Sequence, residues 1–203
     1  MNKLRITKSA LFVLVLVSGV AWGQAKAPAP VQAPPPSPAP QPAPERPRRS
    51  PEMASLVRSF AGRWTVSEKL EKSDFTQPGE RTGNAMFRLG PGTSLMELYR
   101  AHGSAGELRW LGVIWWDAKA KTYRFFTCAN DDGCNDRGTA KWEGPKFVNT
   151  WERTIKGKKV VFRDSFTDIS PTAFTLVAEA SVAGGPMKRL VTTKYSRQAG
   201  RNQ

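Results

Sequence analysis

The sequence predicts an all-β fold: an antiparallel up-and-down closed barrel of about ten strands, preceded by one short helix. Two observations carry this. From Trp64 onward the apolar residues recur with a period of two, the spacing of a half-buried strand. Turn residues interrupt these runs at short, regular intervals, as in a meander of hairpins. A meander of this length leaves two unpaired edges unless its first and last strands meet, so closure is expected.

The chain of 203 residues opens with Lys3, Arg5 and Lys8 and no acid, then an apolar run over 10–17 and the small-residue pattern Ala21-Trp22-Gly23. This is a secretory signal over 1–23, cleaved near Gly23. Its apolar run is far short of the roughly 20 residues of a membrane span. The mature chain is expected to be exported, periplasmic or secreted. Residues 24–50 contain Ala27-Pro28-Ala29-Pro30 and Ala33-Pro34-Pro35-Pro36-Ser37-Pro38-Ala39-Pro40. Proline fixes φ and lacks an N–H, so this stretch reads as a disordered, extended linker.

One domain follows over 51–198, with 199–203 as a disordered tail. Met53, Leu56, Val57 and Phe60 recur at helical spacing, and Gly62 ends that helix. Trp64, Val66, Glu68 and Leu70 then share one strand face. So do Leu108, Trp110, Ile114 and Trp116, then Val160, Phe162 and Phe166, and Phe174, Leu176, Ala178 and Ala180. Leu190 and Thr192 face opposite to Val191 and Thr193. Strands are expected to begin near Arg63, Gly83, Ser94, Glu107, Thr122, Arg137, Phe147, Lys158, Ala173 and Met187.

A short helix running into Gly62-Arg63-Trp64 resembles the Gly-x-Trp signature of the lipocalin-like (calycin) barrels. The resemblance implies that Trp64 plugs one barrel end, with Gly62 allowing the bend and a basic residue of the last strand, Lys194 or Arg197, lying over the ring. The segment 162–171, with Phe174-Thr175 and Thr192-Thr193-Lys194-Tyr195, resembles a bacterial domain-of-unknown-function family of exported or soluble lipocalin-like barrels. That resemblance implies a fold and supplies no activity.

Basic residues outnumber acidic ones 31 to 17, for a net charge of +14. Such a surface attracts anions. Outside the cytoplasm the partners it suggests are anionic envelope surfaces, lipid headgroups or cell-wall polymers, not nucleic acid; the plainer reading is that the charge only confers solubility. The single histidine, His102, stands in a turn signal, so no haem, zinc or other cofactor or metal is expected, and no Ser-His-Asp triad. Asp164 and Asp168 share a face with Phe162 and Phe166 and could form an inward acid/base pair. The plainer reading pairs Asp164 with Arg163 or Arg153 and makes Asp168 a turn cap. Cys128 and Cys134 bracket a hairpin loop and should form a disulfide in an oxidising compartment. The acidic tip between them misses a calcium-loop register.

Aromatic and polar residues inside strand-like segments mark the candidate interior: Arg100, Trp110, Tyr123, Phe125, Asn149, Trp151, Arg153, Phe162 and Arg163. Apolar walls with a few polar groups describe a small-molecule pocket. The reading is therefore an exported, non-catalytic barrel binding a small hydrophobic or amphipathic molecule. A filled barrel acting as an interaction domain on a Pro-rich stalk competes with it. An enzyme using inward carboxylates stands third.

Overall fold

The computed structural model describes residues 48–131 and 133–199. The expected signal, the linker as far as residue 47 and the last residues of the expected tail lie outside them. Helix α1 spans Pro51–Phe60. Ser50 caps it, its hydroxyl accepting from the Met53 N–H at 3.3 Å, and proline takes the first turn, where no N–H is needed. Met53, Leu56 and Phe60 are buried along one face.

Ten strands follow: β1 (Gly62–Leu70), β2 (Gly79–Leu89), β3 (Leu95–Gly103), β4 (Gly106–Asp117), β5 (Thr122–Ala129), β6 (Gly133–Glu143), β7 (Lys146–Ile155), β8 (Lys158–Thr167), β9 (Ala173–Val182) and β10 (Lys188–Arg197). Each pairs antiparallel with its neighbour in the chain, and β1 pairs with β10 to close the barrel. Most strands begin within a residue of expectation. β2 and β6 begin four residues earlier. β1 stays paired to its end, with Leu70 opposite Gly79, which draws residues 79–82 into β2. β6 starts immediately after the tip because Ala129 pairs with Gly133 and Cys128 with Cys134. The disulfide between those cysteines is formed.

In β10 a register shift falls between Arg189 and Val191. Leu190 is the extra residue, so Leu190 and Val191 both pack inward, correcting the strict alternation read from the sequence.

The interior divides along the strands. Around α1 it is packed solid with aromatic side chains: the Phe60 ring sits among Phe87, Trp142, Phe147, Phe166 and Phe174, with centroids 5.1–6.4 Å away. At the other end of β8 a smaller cluster of Val160, Ala180 and Leu190 is covered by Phe75 and Phe162. A cavity lies between these two plugs.

Candidate functional site: the cavity inside the barrel

The cavity measures about 180 Å³. Leu108, Trp110, Phe125, Trp151 and Leu176 form its apolar walls, and Glu68, Arg81, Glu97, Arg137 and Asp164 border it. Strand alternation brings Glu68, Arg81, Glu97 and Asp164 inside, since each shares a face with buried apolar neighbours such as Trp64, Ala85, Leu95 and Phe166, whereas Arg137 stands where β6 shifts register against β5.

The ionic groups are arranged individually. Arg81 Nε donates to Glu68 Oε2 at 2.6 Å, both side chains almost sealed from solvent, and Thr193 Oγ1 lies 3.3 Å from Glu68 Oε1. Glu97 is 3% exposed, and the Tyr195 hydroxyl donates to its Oε1 at 3.4 Å. Burial pushes the Glu97 carboxyl up to about 8, against the pull of the Trp110 indole and the Tyr195 hydroxyl; the acidic Glu68 and Asp164 push the same way as burial. Asp164 accepts from the Trp151 indole at 3.4 Å and the Asn149 amide at 3.5 Å. Desolvation raises its pKa, offset in part by those two donors and by Arg137. Asp164 is half-buried where Glu97 is buried, so of the two carboxyls it is the less sealed. Arg137 Nε donates to Thr127 Oγ1 at 2.6 Å, and its guanidinium lies 4.2 Å over the Trp151 ring. Trp151 also stacks on Phe162 at 4.0 Å. Three buried polar atoms of this interior, Tyr99 Oη, Trp110 Nε1 and Asn149 Oδ1, close no hydrogen bond.

Trp110, Phe125 and Trp151 of the predicted set line the cavity. Asn149 and Phe162 face inward beside it, joined to Asp164 and Trp151 respectively, and the Arg153 guanidinium lies 5.9 Å from the Trp151 ring. Tyr123 belongs elsewhere: its hydroxyl donates to the Glu52 carbonyl at 3.0 Å and ties down α1. Arg100 and Arg163 are corrected, because both point outward, paired with Glu107 at 3.1 Å and Glu143 at 2.7 Å. Their chain neighbours Tyr99 and Asp164 take the inward positions, and strand alternation forbids both.

The Asp164–Asp168 pair does not form. Asp168 follows β8 at a φ of 53° and accepts from Thr167 Oγ1 at 2.9 Å. Arg163, offered as a partner for Asp164, faces away from it. Glu68, Arg81, Glu97 and Arg137 were missed. A signal existed for two of them, since Glu68 and Glu97 interrupt otherwise apolar strand faces. Of the candidates for the last strand, Arg197 stands over Trp64 and Lys194 is exposed opposite Ser67. Among the described residues no group of three His, Cys, Asp or Glu is placed to hold a metal.

The fold is a closed ten-strand antiparallel meander barrel with one short helix before its first strand. Solved structures resemble it. Rv2717c from M. tuberculosis superposes with a TM-score of 0.54 at 11% identity, over 75% of this chain and 100% of that one. EF1p2_mFAP2b bound to DFHBI gives 0.40 at 14% identity, over 72% and 99% of the two chains. The redesigned β-barrel mFAP0, bound to DFHBI, gives 0.39 at 15%, over 68% and 98%. Likeness at this level concerns the barrel and says nothing of what this one holds. No family model and no curated protein matches the sequence.

Proposed function

We propose that the protein is an exported, non-catalytic barrel that takes a small amphipathic molecule into its interior. The observation that carries this is the cavity of about 180 Å³, walled by rings and bordered by polar groups. A barrel built only as a scaffold gains nothing from such a space, since an unfilled cavity forfeits packing and dispersion energy. The volume is modest beside drug-sized pockets of roughly 300–1,000 Å³. An engineered cavity of about 150 Å³ holds benzene, so the ligand is about the size of one ring. The inward carboxyls of Glu97 and Asp164 are met by phenol, indole and amide donors, an arrangement that suits recognition better than proton transfer. Kinship with the bacterial barrel family suggested by 162–171 and 192–195, and the attraction of the basic chain to anionic envelope surfaces, belong to the same reading.

Native mass spectrometry of protein purified from its own host tests the proposal directly. A retained small molecule, lost from Trp151→Ala, is the expected result. No retained mass, together with no thermal stabilisation by any ring-sized probe at millimolar concentration, would leave the filled-scaffold reading in its place.

A further inference from the structure

Each cavity carboxylate except one has a cation beside it. Glu68 has Arg81 at 2.6 Å, and Asp164 has the field of Arg137. The titratable and charged groups facing Glu97 are Tyr99 on its own strand, Glu68 of β1, Asp164 of β8 and Tyr195 of β10, while Arg81 of β2 is engaged by Glu68 and Arg137 of β6 by Thr127 and Trp151. A sealed carboxylate with acidic neighbours and no cation is costly, so this one keeps its proton. Burial holds Glu97 at about 8, in agreement. A protonated carboxyl has an O–H to donate.

The surroundings offer that O–H a niche. Gly112 stands directly opposite Glu97 across the β3–β4 pair. Its φ lies outside the left-handed region, so the backbone does not demand glycine there. A Cβ at that point would lie 3.5 Å from Glu97 Oε2 and 3.1 Å from Phe125 Cε2. The missing side chain lets the Phe125 ring and the carboxyl sit together over the strand, so the carboxyl meets an apolar wall of the cavity there. The Trp110 indole N–H turns toward the same carboxyl and closes no hydrogen bond. Two donors thus converge beside the apolar walls.

Building on the cavity reading above, we propose that the molecule taken up carries an uncharged oxygen acceptor, such as an amide or ketone carbonyl, on a ring-sized apolar body, and that the Glu97 O–H selects it. A protonated amine would require the carboxylate, and the guanidiniums of Arg81 and Arg137 border the same cavity and oppose it. An anionic ligand would meet Glu68 and Asp164.

The test compares three probes of one ring each, benzamide, benzylamine and toluene, by calorimetry on the full chain at pH 6 and pH 9. At pH 6 benzamide should bind at least about tenfold more tightly than either other probe, one good hydrogen bond being worth that ratio. Benzamide should weaken about tenfold by pH 9, one unit above the value of Glu97, as the O–H is lost. Glu97→Gln, which keeps a donor of the same size, should still prefer benzamide and lose the pH dependence. Glu97→Leu should bind benzamide and toluene alike. Equal binding of all three probes, or a preference for benzylamine, overturns the inference while the cavity reading stands. A pH dependence that survives in Glu97→Gln assigns it to Asp164 and also overturns the inference. If no probe binds, the cavity reading falls and takes this inference with it.

Discussion

The guanidinium of Arg197 lies 4.2 Å over the ring of Trp64, and the two residues stand opposite each other where β1 meets β10. Trp64 is fully buried, and its indole N–H donates to the Phe60 carbonyl at 2.9 Å, joining helix to barrel. Arg197 also donates to the carbonyls of Ala61 and Pro171. A side chain at position 62 would begin inside that guanidinium, and Gly62 has a φ of 141°.

Trp64→Ala should therefore cost about 3–5 kcal/mol, the range for a large buried aromatic. Arg197→Ala should cost less, because the cation–π part is worth only about 0.5–2 kcal/mol. Gly62→Ala should destabilise twice over, through its backbone conformation and by displacing Arg197. Urea unfolding of the three variants reads all of this, and a Trp64→Ala midpoint equal to that of the parent would remove the ring from any closing role.

Glu97 makes stability depend on pH. Its folded value of about 8 exceeds its ordinary value of 4.5, so between these the native state holds a proton that the unfolded chain releases. Stability should then fall as pH rises through that window, by up to about 1.4 kcal/mol per pH unit. Asp164, also raised, adds with the same sign. Glu97→Gln should flatten most of the slope and melt higher than the parent at pH 8. A slope unchanged by the substitution would mean Glu97 is already ionised in the fold.

The Glu68–Arg81 pair should show the asymmetry of sealed ions. Glu68→Leu alone leaves a guanidinium unpaired inside the barrel and should cost about 3–5 kcal/mol. The double variant Glu68→Leu, Arg81→Met should recover most of that loss. Chemical denaturation of the single and double variants gives the comparison, and a double variant no better than the single would show that the cost is packing rather than charge.

The Cys128–Cys134 bridge closes a short loop, for which the chain-entropy model gives about 2 kcal/mol. Unfolded, unreduced protein should resist thiol alkylation, and Cys128→Ser with Cys134→Ser should lose roughly that stability. Two alkylated thiols in the unreduced parent would contradict the bridge.

The barrel was legible in the sequence because alternation is a local property: Trp64, Val66 and Leu70 mark one face without knowledge of their partners. Interior chemistry was less legible. Arg100 and Arg163 looked like pocket residues because they interrupt strand-like runs, yet each sits one position from the true inward residue, and a one-residue error in phase exchanges the two faces. Glu97 gave the opposite difficulty. It lies on the apolar face of its run, but its solitude depends on Glu68 having already engaged Arg81 from two other strands. The bulge at Leu190 had no local mark, since both Leu190 and Val191 are apolar.

Along the meander each strand finds its partner at the next turn, and among the described strands only the β1–β10 pairing joins strands distant in the chain, as between Thr65 and Ser196, 131 residues apart. Hairpins between chain neighbours pay little loop-closure entropy and can form early, whereas this one joint must wait. During synthesis the first strand keeps an open edge until the last one has emerged, so the growing chain is most exposed to mispairing at β1. A ligand would be enclosed only at that final step. Trp64 lies at the joint, so the slowest refolding phase should carry its fluorescence change, and truncation before β10 should leave a chain that collapses without becoming watertight.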